Sequence, residues 1–165
     1  MNGRMGLGMN LEFRIATPAD MPQIADLRWR LRVDDTPVTD RDAYDRFIAD
    51  FVGMCETEWQ PGEIVHWIAA DGGHAVAVMS IAMVRKLPSP ERLRGRWGYI
   101  SNSYVLPEAR NAGVGERLLA AIKDWAKAED LELLLVWPSE RAFGFYERAG
   151  FARHPDPLVL RLRSE

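Results

Sequence analysis

The chain has 165 residues, 47% hydrophobic and 27% charged, with a formal net charge of −3. That length suits one domain with a substantial core, and the composition is that of a globular chain. The acidic balance gives no electrostatic case for a nucleic-acid partner, and no apolar run has the length of a membrane-spanning helix, so neither nucleic acid nor membrane is an expected partner.

Residues 1–10, MNGRMGLGMN, lack the apolar core of a signal peptide and read as a flexible, Gly-rich leader. The cytoplasm is therefore the expected compartment, and residues 11–165 are read as a single domain. Leu11, Phe13 and Ile15 alternate as in a strand with one buried face. Thr17, Pro18 and Asp20 then have the chemistry of a helix start, with a capping residue, a proline at the first position and a carboxylate that reaches back. Ile24, Leu27 and Leu31 continue at helical spacing.

Residues 34–40, DDTPVTD, break that helix, and Thr39 with Asp42 suggests a second cap. Ala43, Tyr44, Phe47, Ile48, Phe51 and Val52 form the next apolar face. Cys55, the one cysteine, lies in this pattern as a core thiol and excludes an intramolecular disulfide. IVHWIAA (64–70) and HAVAVMSIAMV (74–84) flank Asp71-Gly72-Gly73 and predict a hairpin. His66, His74 and His154 have no metal-ligand spacing.

The basic cluster Arg92, Arg94, Arg96 belongs to a solvated loop. RWGYISNSYVL (96–106) is a further strand, ended by Pro107. A helix over about residues 114–129 buries Leu118, Leu119, Ile122, Trp125 and Ala126. LELLLVW (131–137) reads as a buried strand. Ser139 caps a short helix, and Gly150 stands where its left-handed end belongs. The tail over 151–162 predicts one or two strands around HPDP. The order β-α-α-β-β-β-α-β-α-β(-β) is mixed α/β around a central sheet, with no repeat and no linker.

Between the strand ending at Leu106 and the next helix lies PEARNAGVG, residues 107–115. Glycines here allow positive φ and close approach to backbone N–H groups at a helix N-terminus, which favours an anion such as a pyrophosphate. The plainer alternative is a tight turn. There is no Gly-Lys-Ser/Thr, so this is not a P-loop, and a dinucleotide fingerprint would stand at the first strand–helix turn.

YVLPEARNAGVGERLL resembles the acyl-CoA pyrophosphate loop of the GNAT N-acetyltransferase superfamily, an Arg/Gln-x-x-Gly-x-Gly/Ala pattern that Arg110, Gly113 and Gly115 match. RAFGFYERAGF (141–151) is similar to that family's Phe-Tyr-x-x-x-Gly-Phe segment, through Phe145, Tyr146, Gly150 and Phe151. The resemblance covers about residues 11–162. It implies a mixed α/β fold with a mostly antiparallel sheet of six to seven strands, splayed between the fourth and fifth, flanked by about four helices. It implies acetyl-CoA as donor and a primary amine of a small molecule or peptide as acceptor.

On the same resemblance, Arg110, Asn111, Ala112, Gly113, Val114 and Gly115 hold the pyrophosphate. Pantetheine lies along the fourth strand near Tyr104 and Val105, splayed by a bulge near residues 103–105. A backbone amide at Ser103 or Tyr104 polarises the thioester, Tyr146 is the acid for the departing thiolate, and Ser139 caps its helix and touches the cofactor. No carboxylate stands in GYISNSYV, where some relatives carry a glutamate at the position of Tyr99. Glu56, Glu58, Glu63, His66 and a water held by Ser101 and Asn102 remain as routes for the amine proton. Asp34, Asp35 and Asp42 are candidates to attract an ammonium, and Trp29, Trp59, Trp67 and Trp97 to line a pocket. Family analogy also implies a possible homodimer. The alternatives are a non-catalytic acyl-CoA or metabolite-binding module, and a flavin or nucleotide binder.

Overall fold

Three residues set the start of the first helix. Thr17 donates its backbone N–H and its hydroxyl to Asp20 Oδ2 at 2.7 and 2.9 Å, and Pro18 opens the turn where its missing N–H costs nothing. Asp20 is buried and also accepts two bonds, 2.7 and 2.9 Å, from the Arg14 guanidinium. That pairing holds its carboxyl far below the usual carboxylate range. The computed structural model, which describes residues 10–154, 160 and 162, thus has strand β1 (Leu11–Ile15), a 3-10 turn (Pro18–Asp20) and helix α1 (Met21–Arg32).

The cap of helix α2 (Arg41–Thr57) falls one residue after the expected Thr39. Asp40 takes that role, because its carboxylate reaches the Ala43 N–H at 2.9 Å. Strands β2 (Ile64–Asp71) and β3 (His74–Arg85) follow as the predicted hairpin. Gly72 and Gly73 have φ of +56° and +85°, as a two-residue turn between twisted strands requires. Strand β4 (Arg96–Val105), helix α3 (Val114–Ala128), strand β5 (Leu134–Val136) and helix α4 (Phe143–Arg148) complete the described elements.

The sheet runs β1-β2-β3-β4-β5, antiparallel except for the parallel β4–β5 pair, which α3 makes possible as the crossover. Two cores cover its faces. Trp67, Ala69, Ala77, Met79, Ile81 and Ile100 meet α3 and Tyr146 on one side. Ile68, Ala70, Val78 and Tyr104 meet Ile24 and Leu27 of α1 on the other.

Two expectations are corrected or left open. The strand read over 131–137 is only three residues long, and Leu133 and Trp137 are 51% and 58% exposed. Its run of leucines is half-buried, and Pro138 follows with no N–H to extend a ladder. The described residues hold five strands where six to seven were expected. Of the tail, residues 151–154 form no strand, and most of the remaining expected strand lies outside the described residues, as does most of the leader.

Candidate active site at the strand bulge

Strand β4 changes character at Asn102. Before it, Gly98, Tyr99 and Ile100 pair with Leu134, Leu135 and Val136 of β5, and that pairing ends at Ile100. On the other side, Ser80 pairs with Ser101 and Val78 with Tyr104, so Asn102 and Ser103 together oppose Met79. This is a bulge, one residue earlier than expected, with Asn102 at φ +50°. The splay expected between the fourth and fifth strands follows from it, since residues 101–105 run on without a β5 partner among the described residues.

The bulge sends neighbouring side chains to opposite faces. Ser103 Oγ lies 2.8 Å from the Tyr146 hydroxyl on α4. Tyr146 is 5% exposed and wedged edge-on between Phe145 and Phe151, with ring centroids 5.0 and 5.4 Å away. Burial raises its pKa above the ordinary tyrosine value, partly offset by the bond to Ser103, so the phenol stays protonated at neutral pH. Gly150, at φ +93°, closes this helix, and the Phe151 N–H bonds back to the Tyr146 carbonyl at 3.0 Å.

On the α1 face, Asn102 donates to Ser80 Oγ at 3.2 Å, and Ser80 Oγ lies 2.7 Å from His66 Nδ1. His66 is 8% exposed, and burial lowers its pKa to about 4, so the imidazole is neutral near pH 7. Phe51 and Trp59 flank its ring, both 6.3 Å away. Asn102 Oδ1 is buried with no partner. Ser80 is the member of this chain that sequence reading missed. Its alternate spacing from Val78 gives the face, but nothing local gives the partner.

The glycine loop sits at the end of β4. Asn111 and Gly113 have φ of +60° and +71°, and Gly113 is the N-cap of α3, with no side chain capping the helix. A Cβ on Gly113 would meet no protein atom within 4 Å, whereas one on Gly115 would rest 3.5 Å from Phe145 and 3.6 Å from Val105. Gly113 therefore answers to backbone conformation, and Gly115 to packing. Asn111 and Ala112 are exposed, and Val114 is buried as the first helical residue.

Arg110, expected among the residues that hold the pyrophosphate, has its side chain engaged at the end of β4. It folds back, Nε to the Val105 carbonyl at 2.9 Å and Nη2 to Asp35 at 2.8 Å. Asp35 also accepts from the Tyr104 hydroxyl, and the guanidinium lies over the Tyr104 ring at 5.4 Å. Asp34 faces Arg141 at 3.6 Å. The carboxylates expected to attract an ammonium are thus engaged in part, while Asp42 is exposed in the first turn of α2.

Ser139 precedes the 3-10 turn Glu140–Ala142 as expected, but its hydroxyl makes no cap bond and the Ala142 N–H goes to its carbonyl instead. Glu63 accepts from the Gln60 N–H at 3.1 Å, and Glu56 and Glu58 are exposed at the end of α2. Trp67 is core, packed on Trp125, while Trp29 and Trp59 join Tyr44, Phe47 and Phe51 in a run of ring contacts between α1, α2 and β2. Cys55 is only partly buried and belongs to neither core, unlike the core thiol expected, and that partial burial raises its thiol pKa. Among the described residues no group of three or more His, Cys, Asp or Glu could hold a metal, and no helix is long and apolar enough to cross a membrane.

The sheet is splayed at a bulge, a glycine loop lies at the strand end and a tyrosine stands at the gap. The sequence profile of the acetyltransferase (GNAT) family matches residues 22–151, and the chain belongs to that family. An IAA acetyltransferase of Azospirillum brasilense is 36% identical over 77 residues, 40% of this chain, and the match spans about half the length of that relative. The crystal structure of a predicted acetyltransferase with acetyl-CoA from Clostridium acetobutylicum has a TM-score of 0.69 at 24% identity, over 92% of this chain and 96% of that one. An aminoglycoside N-acetyltransferase in complex with CoA gives 0.65 at 17%, over 97% and 99%. At these identities the two structures establish the shared fold.

Proposed function

We propose that the chain transfers an acetyl group from acetyl-CoA to a primary amine of a small molecule or peptide, by direct attack with both substrates bound. The Ser103–Tyr146 pair at the bulge carries this reading, because it puts a protonated phenol beside the open edge of β4. The acetyl-CoA and CoA named for the two solved relatives support the same donor here.

The residues present suit that donor, which supplies an activated acyl thioester. Backbone amides over residues 111–115 would take the pyrophosphate, helped by the α3 dipole. The edge of β4 near Tyr104 and Val105 would take pantetheine as an added strand. An amide at Ser103 or Tyr104 would stabilise charge on the carbonyl oxygen. As the new N–C bond forms and the C–S bond breaks, the amine loses a proton and the thiolate gains one. Tyr146, kept protonated, gives its proton to sulfur and regains one from solvent. The Asn102–Ser80–His66 chain is neutral and serves to orient the amine or a water, with solvent as the final proton acceptor.

The test is thermal unfolding with acetyl-CoA, CoA, ADP and NAD, repeated on Gly113→Asp. Acetyl-CoA and CoA should stabilise the wild type by about 2.7 kcal/mol at a hundred times Kd, and the folded variant should lose the effect. Thiol release across a panel of amines then separates the enzyme from a non-catalytic acyl-CoA-binding module, which would show the shift and no turnover. No shift with any ligand refutes the donor assignment.

A further inference from the structure

Strand register lays out the α1 face of the sheet beyond the part that α1 covers. Ile68 and Val78 lie buried under Ile24 and Leu27. Side chains alternate along a strand and share a face across paired positions. His66 and Ser80, which pair, therefore share the face of Ile68 and Val78, and Ser101 pairs with Ser80. One step further on, Ile64 pairs with Ala82, Ala82 with Tyr99, and Tyr99 with Leu135. The intervening Ile81 and Ile100 belong to the α3 core. Ile64, Ala82, Tyr99 and Leu135 thus form a further row on the α1 face, from β2 to β5.

This row differs from the one under α1. Its four side chains are half-buried among the described residues, where Ile68 and Val78 are fully buried, and none of them is charged. Rings bound it at both ends. Trp137, itself exposed, meets Tyr99 edge-on at 5.0 Å beside β5, and Phe51 and Trp59 lie 6.3 Å from His66 beside β2. The row also adjoins the gap. Tyr99 precedes Ser101 and Asn102 on β4, roughly 7–10 Å away along a strand, and the β4–β5 pairing ends at Ile100 between them. Asn102 Oδ1 is buried without a partner, while its Nδ2 is spent on Ser80. A buried acceptor with no donor costs free energy, which an N–H from a bound amine would recover.

We propose that the acceptor is an amine with a planar aromatic body, whose ring rests on this row against Tyr99 and Trp137 and whose nitrogen reaches Asn102. This rests on the acetyltransferase reading and narrows its substrate class. A flat ring makes edge-to-face or offset contacts with both side chains, which a saturated ring of similar size cannot. An amine with a second charge would lay it on uncharged side chains, where it loses hydration and gains no partner.

Thiol release from acetyl-CoA tests it with phenethylamine, tryptamine, cyclohexylethylamine and diaminobutane as acceptors. The better aromatic amine should exceed cyclohexylethylamine about fivefold in kcat/KM, and diaminobutane by more. Trp137→Ala, at an exposed position, should cut that preference to about twofold or less, chiefly through KM. Tyr99→Leu should do the same, and Tyr99→Phe, which keeps the ring, should preserve it. Asn102→Ala should slow every amine and leave the preference in place. Equal kcat/KM for the aromatic and saturated amines, a preference for diaminobutane, or an aromatic preference that survives both Trp137→Ala and Tyr99→Leu overturns the proposal. The CoA-induced thermal shift on the same proteins reports folding and the donor reading separately. If the shift appears and no amine of the panel is turned over, the aromatic class falls while the donor assignment stands. Without the shift, the acetyltransferase reading itself falls.

Discussion

Helices α3 and α2 cover opposite faces of the same sheet, and they are held in different ways. Helix α3 buries Val114, Leu118, Leu119, Ile122 and Ala126, while α2, two residues longer, has no fully buried residue. The first is part of the core. The second lies against α1 and β2 through partly covered rings, Phe47 on Trp29 at 5.4 Å and Phe51 on His66 at 6.3 Å. The proposed donor side thus rests on fully buried side chains, and the proposed acceptor side on a partly exposed cover that can yield at lower cost. Leu118→Ala should cost about 3–5 kcal/mol of unfolding free energy, and Phe51→Ala about 1–2 kcal/mol, given its partial burial. Denaturant unfolding checks both, and amide exchange should open α2 before α3. Equal costs would break the contrast.

The buried histidine sharpens the same contrast through pH. Its pKa falls from 6.5 to about 4 on folding because burial disfavours the imidazolium. Between those values the unfolded chain binds more protons, so this contribution is complete above about pH 6.5 and is lost as pH falls toward 4. At the limit the loss is about 3 kcal/mol. Asp20, whose pKa is depressed by Arg14, acts only below the ordinary aspartate range and leaves this window clear. Melting temperature should therefore decline from pH 7 to 4.5 in the wild type and decline less in His66→Gln. Parallel curves would mean that His66 charges without opening the α2 face.

Across the bulge, Tyr146→Phe keeps the buried ring and removes one hydroxyl. Under the proposed chemistry kcat should drop about 100-fold, with the acetyl-CoA thermal shift retained. An unchanged kcat would take the phenol out of proton transfer and leave Ser103–Tyr146 as a structural bond.

The two faces were also unequally legible in the sequence. On the α3 face the signals are local. The run from Arg110 to Gly115 lies within one turn of chain, and Tyr146, Gly150 and Phe151 close one short helix. On the α1 face they are not. His66, Ser80 and Asn102 sit on three strands and meet only through register, and the bulge moves that register at a single asparagine. Asn102 adopts φ +50° because asparagine tolerates the left-handed region, a tolerance and not a signal. Arg110 gives a clear motif match, yet its guanidinium bonds Asp35, 75 residues away.

That Arg110–Asp35 pair ties the two sides together, and breaking it should give the smallest effect. Asp35 has φ +60°, a conformation asparagine adopts as readily, so Asp35→Asn removes charge without straining the backbone. The new side chain can still accept from the Tyr104 hydroxyl. The pair is partly exposed, with the side chains 44% and 26% accessible, so its loss should cost at most about 1 kcal/mol of stability. What changes is the field at the end of β4. One negative charge leaves the neighbourhood of the proposed pyrophosphate loop, and one guanidinium is released toward it. Acetyl-CoA should then bind about threefold more tightly at low salt, and the gain should shrink at 0.5 M salt, where the screening length is a few ångströms. Calorimetric titration of both proteins at the two salt levels measures this. Weaker binding in the variant, insensitive to salt, would reverse the assignment. Asp35 would then act by fixing Arg110 against the Val105 carbonyl, and the α1–α2 loop would belong to the donor side.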